Sequence, residues 1–230
     1  YQYITSTIPG CLFFPGFDKV DVKTQKIDKM CNDNYFEKLK KIIINEKNSI
    51  IILGGRLPLY LSGYRFDNKE GGGSKTRWRF KFNSVGKYET IQNSFKNEIS
   101  ELSKNNKVIL IYPIPEVGWN VPRKLFNSMP KNIIQQKNYL IPENYITTSY
   151  EIFKISVKPS FELLDSINGD HVYRVYPHKL FCDTTIKDRC VTHDNKNLFY
   201  IDNTHPSSKG AEMINDLIIK EIEKIELKSN

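Results

Sequence analysis

The sequence has no Cys-x-x-Cys pair, no apolar run long enough to span a bilayer, and only four histidines. Each shortage narrows the possible functions. Structural zinc sites take their ligands from closely spaced pairs, and neither cysteine pair here, 11/31 or 182/190, has that spacing. No metal or other cofactor is therefore expected. The longest apolar stretches, SIIILGG and VILIYPIP, are strand-sized. No secretion signal opens the chain. Tyr1 leads directly into the strand-like YQYITSTI, so the chain is expected to be a piece of something longer.

Arginine is scarce as well. Seven of the 34 basic residues are arginine, and the lysines are dispersed among Asn and Ile. Nucleic-acid surfaces favour arginine forks and clustered basic stripes. The net charge of +8 therefore reads as compositional bias, and no nucleic-acid partner is expected. One local cluster, SKTRWRFKF at 74–82, interleaves basic and aromatic residues. It reads as a solvated loop or hairpin, with contact to single-stranded nucleic acid, or to a polyanionic or sugar-rich surface, as the lesser alternatives.

The remaining composition is that of a globular protein, with 39% hydrophobic and 26% charged residues over 230 positions. One domain over 1–230 is expected. Apolar positions at helical spacing mark helices at 33–48, 88–105 and roughly 206–227, with a further helix near 160–167 capped by Ser160. Buried strands are expected at the start of SIIILGGRLPLYL, ending at Gly54-Gly55, and in KVILIYPIP (107–115), stopped by Pro113 and Pro115, with another strand in HVYRVYPHKLFC (171–182). Strands interleaved with helices predict an α/β fold, a mostly parallel sheet with helices on both faces. Ligands bind such sheets beyond the carboxyl ends of the strands. That puts Gly54–Arg56, Pro113–Gly118 and Asp202–His205 near one rim.

FYIDNTHPSSKGAEMI (199–214) sets Asp202 three residues before His205. A histidine that takes a proton from a hydroxyl needs an acceptor on its other ring nitrogen, and Asp202 can fold back to supply it. Equally, Asp202 or Asn203 caps the last helix and His205 is incidental. His171 and His193 lie in charged, turn-like contexts and read as surface residues, while His178 has no evident carboxylate partner. Arg56 ends a strand where it can face an anion, and Glu116 and Trp119 lie in a loop that can line a pocket. The seven residues between Cys182 and Cys190, and the loop between Cys11 and Cys31, suggest two local disulfides on surface loops in an oxidising compartment. Four free thiols are the alternative.

Three stretches, ILGGRLPLYLSGYRFDNKEGG, VILIYPIPEVGWNVP and FCDTTIKDRC…LFYIDNTHPSSKGA, resemble one family in order. It is the SGNH-type (GDSL-like) C-terminal domain of membrane acyltransferase-3 proteins. The resemblance implies a three-layer αβα sandwich and a Ser-His-Asp mechanism with His205 as base and Asp202 as its orienter. It places Arg56, with Gly55 and Glu116, on the substrate and oxyanion side, and implies disulfides Cys11–Cys31 and Cys182–Cys190. It further implies a bacterial inner-membrane anchor, with this domain facing the periplasm or cell exterior. There it O-acylates, usually O-acetylates, cell-envelope polysaccharide with acyl groups passed on by a membrane domain of the same polypeptide.

Leu57 stands where the family often has tryptophan, and Pro206 where it usually has leucine. The Gly-Asp-Ser-His block that carries the nucleophile is absent, since no serine here follows Gly-Asp. The nucleophile and the first, central strand are therefore expected upstream of Tyr1, and the chain alone is expected to be inactive. Two other readings remain: a non-catalytic glycan-binding module and a free-standing SGNH esterase or lipase.

Overall fold

In the computed structural model, residues 4–45, 48–129 and 145–227 are described. They divide into two units. The first comprises Tyr1–Tyr64, Arg77–Pro113 and Pro159–Arg174, the second Arg65–Thr76, Ile114–Lys158 and Val175–Asn230.

In the first unit, β2 (Ile50–Leu53), β4 (Lys107–Ile111) and β6 (Val172–Val175) form a parallel sheet in the order β2-β4-β6. Strands alternate with helices around it, which makes the fold α/β. Ile50 pairs with Lys107 and Leu53 with Leu110. β4 is buried from Val108 onward, as a central parallel strand should be. β2 is an outer strand of this sheet and only half-buried, with Ile52 40% exposed, although a buried strand was expected there.

A second ladder was not foreseen. β1 (Phe17–Asp21) pairs antiparallel with β3 (Phe80–Ser84), so the basic-aromatic tract becomes one arm of a ribbon. Helix α3 (Ile91–Leu102) buries Ile91, Phe95, Ile99 and Leu102, the face its spacing predicts, and Thr90 caps it by accepting from the Asn93 N–H. Phe14 packs edge-on against Tyr60, Phe82 and Phe95 at 5.0 to 6.1 Å. Helix α1 (Asp33–Asn45) buries Phe36, and α2 (Leu57–Ser62) buries Leu57, Leu59 and Tyr60.

In the second unit, β5 (Thr147–Ser149) pairs antiparallel with β7 (Arg189–Val191). Helix α4 (Val121–Ser128), read from the sequence as loop, is capped by Asn120, whose side chain accepts from the Arg123 N–H at 3.0 Å. The rest of that expected loop lies largely outside the described residues. The helix expected near 160–167 starts ten residues earlier, as α5 (Tyr150–Asp165), with Ser160 buried in its interior and not at a cap. Pro159 obscured it, since proline removes one helical hydrogen bond. Ile155, whose carbonyl loses that partner, lies on the exposed side. Residues 4–8 form no strand.

Both disulfides, Cys11–Cys31 and Cys182–Cys190, are formed. Cys31, Cys182 and Cys190 are buried, so these bridges belong to the core more than to surface loops.

The short helix α6 (His178–Phe181) begins at a histidine buried among Tyr150, Phe153 and Tyr176. Burial, with Lys179 beside it, pulls His178 down from 6.5 to about 4. The unfolded chain therefore binds a proton that the folded one refuses between those values, and stability falls as pH drops through that window. The loss is expected to approach about 3 kcal/mol, since each tenfold difference in proton affinity between the two states is worth ~1.4 kcal/mol. Urea melts at neutral pH and near pH 4 should show a smaller acid loss for His178→Gln than for the unsubstituted chain. Parallel losses would mean that the folded ring accepts a proton normally.

Candidate active site

Asp202 and His205 lie on a tight turn between two backbone contacts. The Ile201 N–H donates to His205 O at 3.0 Å, and the Ser207 N–H to Phe199 O at 2.8 Å. Within the turn, Asp202 Oδ1 accepts from the backbone N–H groups of Thr204 at 2.7 Å and His205 at 2.8 Å. Its other oxygen, Oδ2, lies 2.7 Å from His205 Nδ1. One carboxylate thus shapes the turn and orients the ring. Thr204 Oγ1 is a further neighbour of Nδ1, at 3.3 Å.

An ionised carboxylate can only accept, so Nδ1 carries the proton and Nε2 is left as the basic nitrogen. Nε2 has no hydrogen-bond partner among the described residues, and the imidazole is 67% exposed. Partial burial raises the Asp202 carboxyl, but the hydrogen bonds from the His205 N–H, the imidazole and the Thr204 N–H outweigh it. The net result lies below the usual carboxylate range. Asp202 therefore stays ionised beside the ring.

The helix-cap alternative has a different occupant. Helix α7 (Ser208–Leu227) is capped by Ser207, whose Oγ accepts from the Gly210 N–H at 3.1 Å and donates to Leu198 O at 2.5 Å. Pro206, expected in the first helical turn, lies before it in a bridge to Tyr200. The Ser-x-x-Gly string carried this signal, and the reading of Asp202 or Asn203 as cap passed over it.

The turn is pinned from a second loop. Val117 and Gly118 both donate their N–H to Asn203 O, at 3.1 and 3.2 Å. Gly118 has φ +75°, and a Cβ there would lie 2.5 Å from Gly72 O. Asn68, buried in the glycine-rich loop, donates from Nδ2 to Val117 O at 3.1 Å and accepts from the Glu70 and Gly72 N–H groups at 3.0 and 2.9 Å. The sequence offered no signal for this clamp beyond the glycines. Glu116 is buried on the same loop. Burial, then the charge of Glu116, pushes the Tyr200 hydroxyl well above its ordinary range. Trp119 is committed to packing: Nε1 donates to Thr147 O at 2.9 Å, and Lys124 Nζ sits 3.2 Å from its ring centre.

Gly55 and Arg56 belong to the first unit. A Cβ on Gly54 would meet Ile111 at 3.1 Å and one on Gly55 would meet Leu12 at 3.0 Å, so both glycines serve close packing within the chain. Arg56 opens α2, its carbonyl accepting from the Leu59 and Tyr60 N–H groups at 3.0 and 3.2 Å. Leu57, which stands where the family often has tryptophan, is core.

His193 is likewise not a surface residue. It is buried, accepts at Nε2 from the Ile146 N–H at 3.0 Å, pairs through Nδ1 with Asp194 O at 3.0 Å, and stacks on Tyr145. Both ring nitrogens are used structurally. Among the described residues no group of three or more His, Cys, Asp or Glu converges as a metal site, and no helix is long and apolar enough to cross a membrane.

A family model for the SGNH domain fused to AT3 domains matches residues 1–220. Among solved structures, the chain is similar to the periplasmic domain of a lipopolysaccharide acetyltransferase from Salmonella ser. Paratyphi A. That match has 14% identity and a TM-score of 0.49, covering 92% of this chain and 67% of the other. No curated protein matches the sequence.

Proposed function

The chain belongs to the SGNH domains that are fused to AT3 domains, and from that membership we propose that it is the extracytoplasmic part of an O-acyltransferase. The AT3 partner, anchored in the bacterial inner membrane, delivers an acyl group, acetyl in the simplest case. The acceptor is a hydroxyl of a cell-envelope polysaccharide: lipopolysaccharide, peptidoglycan or exopolysaccharide. Two disulfides favour an oxidising compartment.

The observation that carries this reading is the 2.7 Å contact between His205 Nδ1 and Asp202, with the opposite nitrogen open. The nucleophile is a serine outside these residues, because no serine here follows Gly-Asp. The serine hydroxyl gives its proton to His205 Nε2 as its oxygen attacks the acyl carbonyl. The bond to the donor breaks, and the imidazolium protonates the departing group. The sugar hydroxyl then gives its proton to Nε2 and attacks the acyl-serine, whose oxygen leaves with that proton. Asp202 holds Nδ1–H through both steps. Glu116, on the loop whose Val117 and Gly118 N–H groups hold the turn, is assigned to the substrate side.

The test is the O-acyl content of envelope glycans, measured by mass spectrometry in cells with and without the complete protein. Loss of one acyl substituent without it supports the assignment, and identical glycans sink it. Release of free carboxylic acid with no acceptor dependence would favour the free-standing esterase. A complete protein that also lacks the serine would leave a glycan-binding module.

A further inference from the structure

The first unit contains a cleft of ≈ 330 Å³ beside the β1–β3 ribbon, and neither His205 nor Asp202 lines it. Its base is aromatic. The Trp78 ring lies 5.4 Å from that of Tyr60 and 6.0 Å from that of Phe82, and the Trp78 backbone N–H donates to Gly63 O at 2.8 Å. Tyr64, at the mouth, is 42% exposed. Arg77 and Lys81 also line the cleft, both exposed, and neither has an ion pair among the described residues. Glu89 and Gln92 complete the polar rim.

From this combination we propose that the cleft binds an anionic saccharide, a short stretch of glycan bearing carboxylate or sulfate. The identification of the ligand as glycan rests on the function proposed above. The exposed ring of Tyr64 offers a face for the C–H side of a sugar ring, and a planar guanidinium recognises a carboxylate or sulfate in a bidentate manner. Glu89 and Gln92 can accept hydrogen bonds from sugar hydroxyls, as an apolar wall cannot. The aromatic cluster is already packed, so binding orders little. The volume falls at the lower end of the ~300–1,000 Å³ range of small-ligand sites.

Nucleic acid fits less well. A strand stacks successive bases on several open ring faces, and Trp78 and Tyr60 are only 7% and 8% exposed.

The test is calorimetric titration of this 230-residue chain with trigalacturonate, a heparin-derived tetrasaccharide, maltotriose and an oligothymidylate. Saturable binding of either acidic saccharide is expected, weakened at least about tenfold by Arg77→Ala and further by Arg77→Ala/Lys81→Ala. The tighter of the two identifies the anion. Maltotriose should bind more weakly, and His205→Ala should leave binding unchanged. No saturable binding of either acidic saccharide overturns the proposal, as do an unaffected Arg77→Ala variant, equal affinity for maltotriose, or tighter binding of the oligothymidylate. Glycans unchanged in cells lacking the complete protein, with saccharide binding intact, would remove the acyltransferase reading and leave the cleft.

Discussion

His205→Ala in the complete protein is expected to lower acyl transfer by about 10²–10⁴-fold, the usual contribution of a general base. The loss should fall on turnover more than on acceptor binding, because Nε2 acts on protons in flight and not on resting substrate. The imidazole is 67% exposed and its backbone contacts do not depend on the ring, so melting temperature should barely move. Asp202→Asn is the more informative companion. Asparagine keeps one oxygen for the Thr204 and His205 N–H groups, so the turn can persist. It replaces the Oδ2 acceptor 2.7 Å from Nδ1 with a donor. The ring must then move its proton to Nε2, the nitrogen that has to be basic. Losing the right tautomer can cost as much as ~10⁴-fold. Full activity in both variants would reduce the pair to a brace for the turn.

Legibility in the sequence followed how local each feature is. The α3 face at Ile91, Phe95, Ile99 and Leu102 could be read because helical spacing lies within one segment. Asp202 and His205 could be read for the same reason, three residues apart. β1 could not. Its FDKVD buries Lys19 and Asp21, whose compensating partners, Asp28 and Arg79, become neighbours only after folding. Asp21 and Arg79 are 58 residues apart. His193 looked exposed for a similar reason, since the N–H that satisfies it belongs to Ile146, 47 residues away. The Asn68 clamp on the 117–118 loop is again a long-range pairing, 49 residues apart. α5 was half visible: only the part after Pro159 was read as helix, although a helix can carry a proline where the freed carbonyl lies on its exposed side.

Gly210→Ala is expected to destabilise the chain and disturb the Asp202–His205 turn together. Intrinsic preference points the other way, since alanine is favoured over glycine in a helix by about 1 kcal/mol. Packing decides the sign. A Cβ at Gly210 would come closer than 3.0 Å to Phe199 O, a separation real Cβ atoms essentially never show, and would also meet Pro206 at 3.3 Å. Phe199 O is backbone, and it already accepts from the Ser207 N–H at 2.8 Å. The helix cannot back away cheaply, because the Gly210 N–H is the donor in the Ser207 cap. Overpacking of this kind costs about 1–3 kcal/mol, and loss of a cap adds about 1 kcal/mol. The net effect should lower the melting temperature by several degrees. Residues 199–207 carry His205 between these contacts, so a shift of the α7 start displaces the imidazole as well. A misplacement near 1 Å can cost about 10²-fold in rate. Lys209→Ala, on the same turn but exposed, should leave both quantities near their original values. A Gly210→Ala protein that melts higher and retains full turnover would show that Phe199 yields, and that the turn is not held as tightly as its contacts imply.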